Sequence, residues 1–197
     1  MFIFIPASSD SIHVLDVNDN TPVFQGETFM GRVSETAPLG TLVFVEGTTR
    51  PLVIKASDAD AGVNSLLYFE ILDHQASRVF SIDESTGALR VTTDRLDYET
   101  KSEYRFSVRV SDRGSPRLTS ERSASVVVNI SDENDSPPKF KRERFTSTIL
   151  LPTFQGVEVV KVGATDRDSK SHLLYTISDP GLATHSNFFC FLFVKNH

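Results

Sequence analysis

Hydrophobic and polar positions alternate with a period of two through the middle of the chain. Tyr104, Phe106, Val108 and Val110 alternate with Glu103, Arg105, Ser107 and Arg109, the pattern of a strand with one buried face and one wet face. Ala124, Val126, Val128 and Ile130 do the same against Ser123, Ser125 and Asn129, and Leu67, Phe69 and Ile71 predict a further strand. Short apolar pieces at Val79–Ile82 and Ala88–Thr92 flank Asp83-Glu84-Ser85-Thr86-Gly87, a turn-forming cluster. Asp112-Arg113-Gly114-Ser115-Pro116 reads as a loop joining two strong strands. About seven short strands separated by turn signals predict an all-β chain built from an antiparallel sandwich. No segment carries the period of an amphipathic helix of roughly ten residues or more.

An internal repeat organises these strands. Asp16-Val17-Asn18-Asp19-Asn20-Thr21-Pro22-Val23-Phe24 recurs as Asp132-Glu133-Asn134-Asp135-Ser136-Pro137-Pro138-Lys139-Phe140, 116 positions further on. The same offset carries Val33 to Ile149 and Gly40 to Gly156. Asp58-Ala59-Asp60 is echoed by Asp166-Arg167-Asp168 at an offset of 108. The first copy therefore holds about eight extra residues, which we place around Glu46–Pro51 as a lengthened loop or hairpin tip. A unit of this length is too long for helical or leucine-rich solenoid repeats and suits a whole sandwich domain.

Composition narrows the class. The chain has 20 Lys plus Arg against 26 Asp plus Glu, a formal charge of −6, and this argues against a nucleic-acid partner, which needs a basic stripe. One cysteine excludes an intrachain disulfide framework. No apolar run approaches the ~18 residues of a membrane span. At the N-terminus the run Phe2–Ile5 is shorter than a secretion-signal core and follows no Lys or Arg. The apolar block Phe188–Val194 is expected to have neither a turn nor a partner strand. Both ends read as boundaries of a fragment or of an alternative transcript.

The acidic excess sits at strand ends. Sandwich loops gather at two poles, and counting strand directions sorts the carboxylates between them. Glu35, the pair Asp97 and Glu99, and the pair Asp132 and Asp135 meet at one pole. Asp58, Asp60 and Asp112 meet at the other, near Asn18–Asn20. Carboxylate and carbonyl oxygens are the hard ligands that Ca²⁺ takes in sets of roughly 6–8. An EF-hand does not fit Asp58-Ala59-Asp60: Gly62 falls one place early, the twelfth position is Phe69, and no helices flank the loop. A single DxD pair is weak evidence, since solvated acidic loops are common. An ordered set that recurs at the next boundary carries more information.

That ordered set resembles cadherin extracellular repeats. The matching residues run in family order: Asp16-Val17-Asn18-Asp19-Asn20, Glu35 in Val33-Ser34-Glu35, then Asp58-Ala59-Asp60-Ala61-Gly62-Val63-Asn64. Leu96-Asp97-Tyr98-Glu99, Asp112–Pro116 and Asp132-Glu133-Asn134-Asp135 follow. Leu150-Leu151-Pro152-Thr153-Phe154 is similar to the large Fat-type cadherins. The resemblance implies tandem antiparallel Greek-key sandwiches. Residues 1–20 would be the last strand and linker of a preceding repeat, 21–136 a complete repeat, and 137–197 a truncated third repeat with an atypical tail. A half repeat of this kind would leave strand edges exposed beyond about residue 140.

The resemblance also implies Ca²⁺ at each junction between repeats. At the second junction the family pattern implies Glu35, Asp97 and Glu99, then Asp132 and Asp135 with the carbonyl of Glu133. Asp166 and Asp168 join from the next repeat, with Asn134 and the carbonyl of Ser136. At the first junction it implies Asp16, Asn18, Asp19, Asn20, Asp58, Asp60, Asn64 through its carbonyl, and Asp112. Three departures bear on these sites. Ser136 replaces the final Asn of the linker, Leu151 stands where the second repeat has Glu35, and Ser169-Lys170-Ser171 replaces the Gly-x-Asn that would follow Asp168. The last of these implies weaker binding of the final ion. With no Trp in the chain, the Trp exchange made by some outermost cadherin repeats is not implied.

As a cadherin, the chain would be a calcium-rigidified spacer of a plasma-membrane adhesion receptor. Its partners would be other cadherin ectodomains, homophilic or heterophilic, with no nucleic acid and no small-molecule substrate. It would meet the membrane only through the rest of a parent protein. Paired carboxylates also serve glycoside hydrolases, but these sit at domain poles and no Trp platform accompanies them. His13, His74, His172, His185 and His197 make no zinc spacing, and Cys190 has no catalytic partner pattern. A calcium-free sandwich adhesin is the remaining alternative, and calcium-dependent protease protection separates the two. Asn129-Ile130-Ser131 and Asn134-Asp135-Ser136 match the glycosylation sequon. Asn129 is the better acceptor, because Asn134 is wanted as a ligand.

Overall fold

The computed structural model describes residues 15–150, 152–169, 171–180 and 190–196. Leu151, Lys170, the N-terminal apolar run and three of the five histidines (His13, His185 and His197) lie outside them. Nine strands lie within the region expected to be the complete repeat: β1 (Val23–Phe24), β2 (Thr28–Ser34), β3 (Phe44–Val45), β4 (Ala56–Ser57), β5 (Tyr68–Ile71), β6 (Phe80–Ile82), β7 (Leu89–Val91), β8 (Glu103–Ser111) and β9 (Ala124–Ser131). Four more follow: β10 (Lys139–Phe140), β11 (Ala164–Thr165), β12 (Leu173–Pro180) and β13 (Cys190–Asn196). The only helical pieces among the described residues are the 3₁₀ turns Gly62–Ser65 and Ala76–Arg78, so no helix there is long and apolar enough to cross a membrane.

The chain divides into two compact units, Met1–Val33 with Pro38–Asp94 and Tyr104–Asn129, and Ser34–Ala37 with Arg95–Glu103 and Ile130–His197. The first unit is a sandwich. One layer is a five-stranded sheet in the order β3-β2-β9-β8-β5, which sets the early strand β2 beside the late strand β9. The facing layer holds the β1–β4 and β6–β7 pairs, with isolated bridges at Leu42↔Arg90 and Val53↔Ala88 beside them. Alternation along β8 emerges as expected, with Phe106, Val108 and Val110 buried and Arg105, Ser107 and Arg109 exposed. On β9, Val127 is buried as well, so this central strand is covered on both faces there. Phe80 stacks on Phe106 at 5.6 Å and meets Tyr104 edge-on at 5.3 Å, joining the two layers. The buried Phe80 and Phe106 side chains each contribute about 1.5–3 kcal/mol.

Turn chemistry closes the sandwich. Asp83 Oδ1 accepts the backbone N–H groups of Ser85 and Thr86 and both of their hydroxyls. These bonds, the Ser85 hydroxyl first, hold the Asp83 carboxyl down at about 2. The turn ends at Gly87 (φ +71°), where a Cβ would stand 2.5 Å from the Ile54 carbonyl oxygen, so only glycine fits. The extra residues of the first copy form the expected hairpin tip: Val45 N–H bonds to the Arg50 carbonyl at 2.8 Å and Thr48 N–H to that of Val45 at 3.0 Å.

In the second unit, β10 pairs with β11, and Phe140 packs against Phe145 and Tyr175. The apolar block near the C-terminus corrects one expectation. Within it, β13 pairs antiparallel with β12 from Leu173↔Asn196 through Pro180↔Cys190. An extended apolar segment carries unpaired N–H and C=O groups that a ladder satisfies, and β12 supplies the complementary edge.

Candidate metal centre

Four segments of the second unit bring acidic side chains to one place. The first is a tight turn at the end of β2, closed by an Ala37 N–H bond to the Ser34 carbonyl, which carries Glu35. Glu35 is 4% exposed, and its two oxygens accept the backbone N–H groups of Tyr98 and Glu133, each at 2.7 Å. The second segment is a hydrogen-bonded turn at residues 97–101, anchored by buried Leu96. The third is the linker after β9. The fourth is the loop after β11.

Two carboxylate triads result. One oxygen from each of Glu35, Glu99 and Asp135 lies within 4.8 Å of the others, and the same holds for Glu99, Asp132 and Asp168. Glu99 belongs to both. Its Oε1 is buried without a hydrogen-bond partner, as are Asp132 Oδ1 and Asp166 Oδ2. Burial pushes the Glu99 carboxyl above its ordinary range, with repulsion from Glu35 and Asp168 adding to it.

The other expected residues divide. Asp97 falls outside both triads. Its oxygens accept the Thr100 N–H and hydroxyl, and Arg167 stands 3.7 Å away. The Thr100 hydroxyl, and less strongly Arg167, hold Asp97 below the usual carboxylate range. The Glu133 side chain accepts the Ser34 hydroxyl at 3.2 Å. Ser136 donates its N–H to Asp168. Asn134 lies in the linker itself. Thr100, three residues after Asp97, is a local turn partner, whereas Ser34, Arg167 and Ser169, which binds Asp132, had no signal in the sequence, because the fold alone brings them to their carboxylates.

The other acidic set lies in the first unit. Asp112 is fully buried and satisfied: Oδ1 accepts the N–H groups of Gly114 and Leu118, and Oδ2 accepts the Asn18 amide at 3.1 Å. Asn18 also donates to the Pro116 carbonyl, and its own Oδ1 is buried and unpartnered. A Cβ at Gly114 would stand 2.3 Å from the Asn18 amide nitrogen, so this contact needs glycine. Asn20 donates its N–H and its side-chain amide to Asp60, and the amide holds Asp60 below its ordinary range. The same amide donates to Asp19 at 2.8 Å. Asn64 donates its side-chain amide to Asp16. Both triads found among the described residues lie in the second unit, so this set forms none.

The two sets nevertheless share three features. In each DxD pair the second Asp donates its N–H to Oδ1 of the first at 2.9 Å, Asp60 to Asp58 and Asp168 to Asp166. In each, the remaining Oδ2 of that first Asp is buried and unpartnered. Asn20 N–H reaches Asp60 as Ser136 N–H reaches Asp168. Buried carboxylate oxygens without donors are costly, and a cluster of them is the donor set that a hard cation satisfies. The residues therefore fit Ca²⁺.

The chain is similar to known proteins over most of its length. The family described as Cadherin domain matches residues 29–131. Over 159 residues the chain is 44% identical to mouse protocadherin Fat 2, covering 81% of this chain and 4% of that protein. It is 43% identical to human protocadherin Fat 1 over 170 residues, covering 85% of this chain and again 4% of the relative. The chain thus spans about 4% of the length of these curated relatives. Among solved structures, mouse protocadherin-24 EC1–3 superposes with a TM-score of 0.73 at 26% identity, covering 86% of this chain and 54% of that one. Mouse cadherin-23 EC22–24 does so with 0.67 at 27% identity, covering 92% and 55%.

Proposed function

Because the chain belongs to the cadherin family, we propose that it is a spacer from the ectodomain of a cell-adhesion receptor, stiffened by Ca²⁺ at its acidic poles. The expected repeat boundaries, 1–20, 21–136 and 137–197, carry over into this reading. The second pole holds Ca²⁺ through Glu35, Asp97, Glu99, Asp132, Asp135, Asp166 and Asp168. Asn134 and the carbonyls of Glu133 and Ser136 add neutral oxygens. The first pole contributes Asp16, Asn18, Asp19, Asn20, Asp58, Asp60, Asn64 and Asp112 to the junction on the other side.

The observation that carries the reading is the set of buried, unpartnered oxygens on Glu99, Asp132 and Asp166. The ion supplies positive charge where these oxygens find no donor. Two like charges about 4 Å apart repel by about 4 kcal/mol at an effective dielectric near 20. Without the ion, the segments bearing Glu35, Glu99, Asp132 and Asp168 repel one another and the junction loosens. With it they are held together. Sites of this extracellular class bind at roughly 10⁻⁴–10⁻³ M, so the module stiffens outside cells and relaxes at cytosolic calcium. It works at the extracellular face of the plasma membrane, and its partners are other cadherin ectodomains. The carboxylates have no catalytic role in this reading. Asn129 is the glycan acceptor, since its side chain reaches Glu46 on the sheet surface while Asn134 belongs to the ligand set.

Calorimetric titration with Ca²⁺, joined to limited proteolysis in Ca²⁺ and in chelator, tests this. Binding heat and slower cleavage of the linker at 132–136 in Ca²⁺ are expected. No heat and identical cleavage in both conditions would overturn the reading and leave a calcium-free sandwich adhesin.

A further inference from the structure

One difference between the two acidic sets falls on the first carboxylate of each linker. In the first copy, Asp16 Oδ2 accepts two donors: the Ala61 N–H at 3.0 Å and the Asn64 side-chain amide at 2.9 Å. Asn64 reaches it from the 3₁₀ turn Gly62–Ser65. In the second copy the equivalent carboxylate is Asp132. The backbone donor is conserved in kind, Ser169 N–H to Asp132 Oδ2 at 3.2 Å. The position matching Asn64 is His172, which has no side-chain amide. The second donor comes from the Ser169 hydroxyl, which bonds to the same Asp132 Oδ2. The corresponding residue of the first copy, Ala61, has no hydroxyl to offer.

We propose that Ser169 is a positioning residue for Asp132, its hydroxyl standing in for the amide that Asn64 supplies in the first copy. This rests on the calcium reading and adds a residue to it. Two donors on Oδ2 fix the Asp132 rotamer. They leave Oδ1, buried and unpartnered, on a residue that shares a triad with Glu99 and Asp168. Without the hydroxyl, the single N–H lets the carboxylate turn, and binding an ion must then order it. The missing Gly-x-Asn therefore does not leave the second junction without its clamp, which has moved to a neighbouring residue.

The test is Ca²⁺ titration of the full chain, with melting curves confirming that each variant folds. Ser169→Ala is expected to weaken binding about three- to ten-fold, the effect of one hydrogen bond. Ser169→Thr, which keeps the hydroxyl, restores the affinity. In an Asp132→Ala background Ser169→Ala has no further effect. If the parent chain binds Ca²⁺ and Ser169→Ala binds equally well, this proposal fails and the calcium reading stands. It fails too if Ser169→Thr is as weak as Ser169→Ala, or if the loss persists without Asp132. If the parent chain binds no Ca²⁺, both fall.

Discussion

The two acidic sets start from the same linker and DxD sequences and resolve their charge differently. In the first, Asp112 ends up with no exposed surface and a donor on every side. In the second, Glu99 sits between Glu35, Asp132, Asp135 and Asp168 with one oxygen unpartnered. The difference lies in what each segment brings. The loop after β8 folds its own N–H groups onto Asp112. The turn bearing Glu99 spends its hydroxyl and N–H donors on Asp97, and leaves Glu99 facing other carboxylates. A carboxylate surrounded by N–H groups is held by the fold itself, whereas one surrounded by carboxylates lacks the donors that a cation would replace.

The sharpest way to break this distinction is to exchange the expected phenotypes. Asp112→Ala leaves the buried N–H groups of Gly114 and Leu118 and the Asn18 amide without an acceptor. We expect a loss of about 3 kcal/mol in urea unfolding in chelator, where no ion contributes. A loss that appears only in Ca²⁺ would make Asp112 an ion ligand first and a structural residue second.

Glu99→Gln comes next. Because Glu99 is shared by both triads, its loss should weaken calcium binding about 100-fold in calorimetry. Asp60→Asn, in the first unit, should leave that binding within about two-fold. Equal losses from both would mean that the two sets are not distinct. In chelator the sign reverses. The folded-state pKa of Glu99 is raised by burial and by Glu35 and Asp168. Its contribution is therefore present below the ordinary carboxyl pKa and lost as pH rises through the raised value. At neutral pH the metal-free Glu99→Gln chain should melt about one or two degrees higher than the parent. A lower melting temperature would show that Glu99 is not held against its charge.

Much of this was legible in the residues, and the reasons for the rest are physical. The alternation at 103–110 could be read because β8 has one wet face. Val127 broke the same rule because on β9 it is buried in a run with Val126 and Val128, leaving no wet position there. The two-residue strands β1, β3 and β4 are too short to show any period. β13 was misjudged because a strand partner need not announce itself with a turn. At the acidic poles the carboxylates were legible as an ordered, repeated set. Their neighbours were not. Ser34 on Glu133 and Ser169 on Asp132 are ordinary hydroxyls whose role exists only once distant segments meet.

The smallest expected effect tests the donor side of the distinction away from either pole. Asp83 is a carboxylate of the Asp112 kind, since one oxygen accepts four local donors from Ser85 and Thr86. These bonds lower its pKa from 3.8 to about 2, so the unfolded chain binds a proton there before the folded chain does. The stabilisation is present above pH 3.8 and is lost as pH falls through about 2. Glu99 runs the opposite way, losing its contribution as pH rises. In chelator, the parent chain should therefore lose more stability between pH 4 and pH 2 than Asp83→Asn, by about one degree of melting temperature. Glu99→Gln should differ from the parent only on the side above pH 4.5. Should Asp83→Asn and Glu99→Gln flatten the same limb of the pH profile, donor-satisfied and donor-starved carboxylates would be energetically alike here, and the unpartnered oxygens at Glu99 would lose their meaning as a place for a cation.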